Sequence, residues 1–286
     1  MKGTLSEKKK SSAWPRIQSY MLRFFMILAT VLTVGTVFAV LIYVIVKGVP
    51  NLTPDLFAWE YNSENVSMMP SIINTLIVTA LALLLAVPVG ICSAIYLTEY
   101  AGRGNKLVSI IRITAETLSG IPSIVYGLFG FLFFVIQLHW SYSVLAGAFT
   151  LAIMILPLIM RTTEEALKAV PDSYREGSFG LGAGRLRTVF RIVLPSAMPG
   201  VLSGIILGVG RITGETAALL YTASTASDVV TNVMQPGRTL AVHMYCLINE
   251  GLYTNQAYAT AVVLLIMVVG INALSSFVVK KVGVKK

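Results

Sequence analysis

Six long stretches of nearly uncharged, apolar residues constrain this chain more than any other feature. They cover residues 24–46, 72–96, 121–138, 144–160, 199–221 and 257–279. A helix of about 20 such residues spans the hydrocarbon core of a bilayer. A soluble domain carries about 25% charged residues, whereas this chain has 12%. A water-soluble bundle would have to hold six almost uncharged helices in solvent. The expected class is therefore all-α, a polytopic integral membrane protein with six transmembrane helices. Prolines and glycines interrupt several stretches. Membrane helices tolerate this because neighbouring helices and side chains satisfy the freed backbone groups.

The basic residues orient the chain. Of the 22 Lys and Arg, 19 fall in the N-terminal segment, after the second stretch, after the fourth, or in the C-terminal tail. With those on one side, the other retains only Lys47 and Arg238, and Arg211 lies inside a stretch. This is the positive-inside bias. The net charge of +9 thus reports topology and requires no nucleic-acid partner. Both termini are expected in the cytoplasm. Residues 1–20 form a basic cytoplasmic segment and residues 21–286 a transmembrane domain. The first apolar stretch is too long for the h-region of a signal peptide, so it is expected to be an uncleaved span.

Chemistry on the chain itself is not indicated. Cys92 and Cys246 lack metal-ligand spacing, and His139 and His243 have no partner motif. No nucleophile signature and no Gly-Lys-Ser/Thr phosphate loop occurs. No catalytic residue, metal or cofactor is expected. Trp59, Trp140 and Tyr253 fall in the expected outer loops and suit the membrane interface. The apolar patch from Leu240 to Leu247 suits a re-entrant or interfacial helix.

Two places carry functional expectations. The first is the large inner loop of residues 161–195. Pro171, Asp172 and Ser173 open a helix, and Gly180 and Gly182 stop it or allow a close backbone approach. A second, basic helix over residues 185–193 leads into the fifth span. A short helix with small residues at its tip suits insertion into a partner's groove. An ordinary solvated amphipathic loop would read the same way.

The second place is the fifth stretch. Arg211 and Glu215 are the one opposite-charge pair deep in any span. Ionised residues there are costly and mark function by default. Arg211 lies 12 residues beyond Pro199, roughly 18 Å along a helix, past the midplane. In one continuous helix Gly200, Gly204, Gly208, Arg211, Glu215, Ala218 and Thr222 would share a face, with small residues permitting close helix approach. A guanidinium fork suits phosphate-like oxyanions. Glu215 is expected to pair with it, either as a purely structural bond or as a gate with which an anion competes.

Glu176-Gly177-Ser178, three residues, Gly182, nine residues and then Ile192-x-Leu194-Pro195 resembles a loop of known permeases. It is similar to the E-A-A, three residues, G, nine residues, I-x-L-P loop of the permease subunits of ATP-binding-cassette importers, which have the MetI-like fold. Gly177 and Ser178 replace the two alanines. That resemblance implies that Glu176, Gly177, Ser178, Gly182 and Pro195 couple to an ATPase. Arg211-Ile-Thr-Gly-Glu-Thr-Ala-Ala-Leu-Leu-Tyr-Thr-Ala, Arg161-Thr-Thr-Glu-Glu-Ala-Leu and Gly120-Ile-Pro-Ser-Ile-Val-Tyr-Gly resemble the phosphate-importing, PstA-type branch. The likeness covers most of the chain from Met69 onward. It implies a substrate pathway through Arg211, Glu215 and Thr216, and no enzymatic activity in this chain.

Implied partners are a homologous PstC-like permease, two PstB-like ATPase subunits and an extracytoplasmic PstS-like phosphate-binding protein. The implied location is a bacterial or archaeal inner membrane. Arg238 departs from the pattern. The same architecture could carry phosphonate or sulfate, or serve as a motor-independent anion channel, against which the inner motif argues.

Overall fold

The computed structural model describes residues 13–102 and 104–283. The chain divides into two compact units, residues 1–47 and 48–286. The first contributes one long helix, α1 (Ala13–Gly48). The second contains α2 (Met69–Ile95), α3 (Lys106–Ser119), α4 (Ser123–Gly130), α5 (Val144–Lys168), α6 (Asp172–Gly180), α7 (Arg185–Thr188), α8 (Leu194–Thr213), α9 (Ala217–Thr222), α10 (Leu240–Glu250) and α11 (Thr254–Gly283). No strand occurs among the described residues.

Five helical segments there are long and apolar enough to cross a membrane: Gln18–Asn51, Met69–Tyr100, Val144–Lys168, Arg185–Thr213 and Thr254–Phe277. The third expected span is different. Lys106–Ser119 and Ser123–Gln137 form a helix pair bent by 104°, so helix begins well before the expected start at residue 121. The bend falls at Gly120-Ile121-Pro122. Pro122 has no backbone N–H, and the residue before a proline is disfavoured in helical geometry.

The centre of the second unit is α2 against α5. On α2, Asn74, Val78, Ala82, Ala86, Gly90 and Ala94 are all buried. At about 3.6 residues per turn a spacing of four makes them a stripe that winds slowly around the helix. Val78, Ala82 and Ala86 pack with Leu151, Met154, Ile155 and Ile159 of α5. Between membrane helices burial brings little hydrophobic gain, so close dispersion contact carries the association. A Cβ at Gly90 would stand 2.8 Å from Ile159 Cγ2, so a larger residue there forces the pair apart. On its other side α5 receives α8, where a Cβ at Gly200 would meet Ala166 Cβ at 2.6 Å.

The fifth span is also interrupted. α8 ends at Thr213 and α9 starts at Ala217. Gly214 caps α8 without a side-chain bond. Glu215 Oε1 accepts the Ala218 N–H at 3.2 Å, which satisfies one of the open donors at the start of α9.

Beyond α9 the chain returns to α2. Asn74 Nδ2 donates to the Asp228 carbonyl at 2.9 Å, and Asn74 Oδ1 accepts from Val230 N at 3.0 Å. Thr75 Oγ1 accepts from Leu240 N at 2.8 Å. The expected apolar patch is indeed a helix, α10, with Leu240, Ala241, Val242, His243 and Leu247 buried.

The His243 ring stands edge-on to Tyr61 at 6.2 Å. Burial, aided by the nearby Arg238 charge, pushes its pKa down to about 3. The unfolded chain therefore takes up a proton near pH 6.5 that the folded chain refuses. Stability from this group is complete above about 6.5 and falls as pH drops towards 3, by about 1.4 kcal/mol per unit at most. Thermal unfolding of purified protein between pH 4 and 7 should show a steeper loss in wild type than in His243→Gln. Equal slopes would mean that His243 is not held neutral.

Candidate functional site

Three helices converge on a cleft of about 560 Å³. α3 supplies Arg112 and Glu116, α5 supplies Arg161, Glu164, Glu165 and Lys168, and α8 supplies Arg211; Pro157 and Leu158 form part of its apolar wall. The helical spacing of α5 explains why so many charges meet. Arg161, Glu164, Glu165 and Lys168 fall within two turns of one another on neighbouring faces.

Most of these charges neutralise one another. Glu164 Oε1 lies 2.7 Å from Arg112 Nη2 and 2.6 Å from Lys168 Nζ. Its side chain is 9% exposed, so one buried carboxylate ties α3 to the end of α5. Glu165 Oε1 binds Arg161 Nε at 3.0 Å, with both side chains mostly in the open. Glu116, which forms no ion pair among the described residues, and Arg211 are the exceptions. Among the described residues the Arg211 guanidinium forms no ion pair, and the expected bond to Glu215 is absent. The break at Gly214 is the physical reason. Without a continuous helix the two residues are not stacked one turn apart, and Glu215 caps α9 instead.

Thr216 is the residue preceding α9, and its carbonyl accepts from Leu220 N at 3.0 Å. Arg211 lines the cleft, whereas Glu215 and Thr216 lie in the linker between α8 and α9. Arg112, Arg161, Glu164 and Lys168 were missed as cleft residues. Their meeting depends on the bend between α3 and α4, which charge spacing along the sequence does not reveal.

At the far end of α2 the chain builds a projecting helix. α6 starts after Pro171 and stops at Gly180, as expected. Gly182 adopts φ +79°, a left-handed conformation that glycine takes without strain. Its N–H reaches the Phe179 carbonyl at 2.9 Å, and Ala183 N reaches the Ser178 carbonyl at 3.1 Å, which closes the helix C-terminus. Space around Gly182 is open, so the turn geometry accounts for the glycine within this chain.

Glu176, Gly177 and Pro195 are exposed. Ser178 is buried, and its hydroxyl meets Thr188 Oγ1 at 2.8 Å. Ser178 thus fastens α6 to α7. The surface around the tip is apolar and open, with Leu181 91% exposed and Phe179, Leu186 and Phe190 also exposed.

Arg175 anchors this projection. It binds Glu99 Oε1 through Nη2 at 2.7 Å, the Val170 carbonyl at 2.8 Å, the Leu167 carbonyl at 2.9 Å and Asp172 Oδ1 at 3.1 Å. The hydrogen bond to Glu99 raises the Arg175 pKa further, so it stays charged at any working pH. Glu99 sits in the wider turn that ends the α2 segment, Tyr96–Tyr100. Removing one member of a buried pair costs about 3–5 kcal/mol. Arg175→Ala should therefore free the α6 hairpin, with new protease cleavage within residues 172–184. Arg191→Ala, at an exposed site, should give none. An unchanged cleavage pattern for Arg175→Ala would show that the bonds do not hold the hairpin.

The arrangement is that of a helical membrane pathway, with a charged cleft inside and a fastened helix at one end. The family model described as "Binding-protein-dependent transport system inner membrane component" matches residues 86–283. The chain belongs to this family of multi-pass inner-membrane permease subunits, which work with a binding protein and leave ATP hydrolysis to a separate ATPase. It is 33% identical over 225 residues to the "Probable ABC transporter permease protein YqgI" of Bacillus subtilis, covering 73% of this chain and 76% of that one. It is 32% identical over 237 residues to the "Phosphate transport system permease protein PstA" of Haemophilus influenzae, covering 82% and 83%. A bacterial alginate ABC transporter, solved with a periplasmic protein bound to an alginate pentasaccharide, superposes with a TM-score of 0.70 at 17% identity, over 95% of this chain and 98% of that chain. That last likeness concerns the fold.

Proposed function

We propose that this chain is a permease subunit of an ATP-driven importer of inorganic phosphate. The observation that carries the reading is Arg211, a cation without an ion-pair partner among the described residues, in a cleft whose other basic residues, Arg112, Arg161 and Lys168, are paired. A guanidinium gives an oxyanion a planar pair of donors. Supporting it are the relatives named as phosphate transport permeases, among them that of Haemophilus influenzae. Arg211 binds the anion during passage, and Glu215 and Thr216 shape the linker beside it. A PstC-like permease completes the pathway, a PstS-like binding protein delivers phosphate from outside, and two PstB-like ATPase subunits drive the cycle.

The end carrying α6 faces the cytoplasm in this reading, because six basic residues lie in the sequence from Arg161 to Arg191 around it, and the basic terminal segments are assigned to the cytoplasm by the same rule. α6 and the turn after it, with Glu176, Gly177, Gly182 and the exposed Leu181, enter a groove on the ATPase. Ser178 and Pro195 hold the helix and its return at the required angle. The test is labelled phosphate uptake in cells whose own high-affinity importer is deleted, with this chain and its partners supplied. Uptake should be ATP-dependent and resist competition by sulfate or a phosphonate. Stronger competition by either anion would assign the pathway to that anion. Uptake without the ATPase would indicate a channel.

A further inference from the structure

The other end of the bundle holds a second arginine that the pathway does not use. Arg238 is 4% exposed. Its guanidinium lies 4.4 Å from the centre of the Tyr61 ring, which offers a cation–π contact on one face. Among the described residues no carboxylate pairs with it. Nε and Nη2 are shut from water and have no hydrogen-bond partner. Those two nitrogens form one edge of the guanidinium, the parallel pair that grips an oxyanion bidentately. The backbone around it is firmly held: Arg238 N donates to the Ala226 carbonyl at 2.8 Å, and the Arg238 carbonyl accepts from Asn74 Nδ2 at 3.3 Å.

The Cys246 side chain and the Tyr61 ring are in contact with Arg238, but a buried charge whose Nε and Nη2 lack partners is still costly. The compensation has a place to come from, because Arg238 forms part of the wall of a cavity of about 350 Å³. Thr225, Tyr245, Asn249 and Glu250 share that wall, with Leu220 and Cys246. At about 30 Å³ for each water, the space admits a five-atom oxyanion with ordered water around it.

We infer that this cavity is an oxyanion site, filled by a small tetrahedral anion that the Arg238 edge grips as the guanidinium turns towards it. Thr225, Tyr245 and Asn249 offer further donors. Glu250 decides between anions. A carboxylate repels a fully deprotonated oxyanion but accepts a hydrogen bond from one that keeps a proton, so hydrogen phosphate is favoured over sulfate. Asn74, which holds Arg238, and Glu99, beside α6, are 25 residues apart on the α2 segment, roughly 37 Å along a helix. The cavity is therefore separate from the α6 end, and the inference stands whichever anion passes Arg211.

The experiment measures the unfolding midpoint of the purified full chain in lipid nanodiscs at constant ionic strength, with inorganic phosphate or sulfate. Phosphate should raise the midpoint by several degrees, because a ligand bound to the folded state stabilises it, and sulfate should raise it less. Arg211→Gln removes only what the cleft contributes, so a shift should remain in that variant, and adding Arg238→Gln to it should abolish the remainder. Should Arg238→Gln fail to fold, Asn249→Leu, at an exposed position of the same wall, should weaken the shift. Glu250→Gln should narrow the difference between phosphate and sulfate. No shift in wild type, or a shift that disappears with Arg211→Gln and survives Arg238→Gln and Asn249→Leu, would overturn the inference. So would a carboxylate of the sister permease cross-linking to position 238 in the assembled complex.

Discussion

Arg211→Gln is expected to abolish phosphate uptake, by 100-fold or more on the order of what two charge-assisted bonds supply, while the subunit accumulates normally in the membrane. Normal accumulation is expected because Arg211 forms no ion pair among the described residues, so its loss leaves no partner stranded in the cleft. Arg211→Lys should recover little, since an ammonium cannot reproduce the planar fork. Glu215→Gln is the informative companion. Its carboxylate caps α9 through Ala218 N, and glutamine keeps an acceptor oxygen in that place. Uptake by Glu215→Gln should stay within a few-fold of wild type, and the double variant should resemble Arg211→Gln alone. Full transport by Arg211→Gln, at normal abundance, would remove Arg211 from the pathway.

Gly177→Trp is expected to release the ATPase from the complex. Gly177 is exposed on α6, and a side chain there meets nothing within 4 Å in this chain. The variant should therefore fold, insert and pair with the sister permease. A partner groove that accepts α6 has no room for an indole, so ATPase recovered with the complex should fall at least tenfold, and uptake with it. Gly182→Trp is a poorer test, because φ +79° strains the turn whether or not a partner is bound. Gly182→Asn should retain coupling better than Gly182→Ala, since asparagine tolerates the left-handed region. Asn62→Trp, in the expected outer loop, serves as the control and should keep the ATPase bound. Full ATPase recovery with Gly177→Trp would place the docking surface elsewhere.

The spans were legible because a membrane leaves little freedom: apolar length alone separates them from the basic loops. The start of α6 was legible to the residue from Pro171, and its end to within the two glycines at 180 and 182. α3 was not. Arg112 and Glu116 interrupt its apolar pattern, so residues 106–119 read as loop, and only the bend at Pro122 turns those charges into the cleft. The Arg211–Glu215 pair failed for a related reason. A spacing of four predicts a contact only where the helix is unbroken, and the glycine between them ends it. Arg238 could be flagged as out of place. Its burial under Tyr61 required knowing that residues 61 and 238 meet.

The ending of α8 at Thr213 changes the thermodynamics of the empty cleft. Arg211 lies in the last turn of that helix, where aligned peptide dipoles present the equivalent of about half a negative charge. The resting guanidinium is thus partly compensated by backbone that cannot leave, and no side chain has to be displaced before an anion enters. In the proposed function capture then breaks no ion pair, and letting go becomes the demanding half of the cycle. Among the described residues no carboxylate is bonded to Arg211 in the empty cleft, so in the proposed function discharge is assigned to tilting or reshaping of α8. In a pump arranged this way, the work of ATP falls on release.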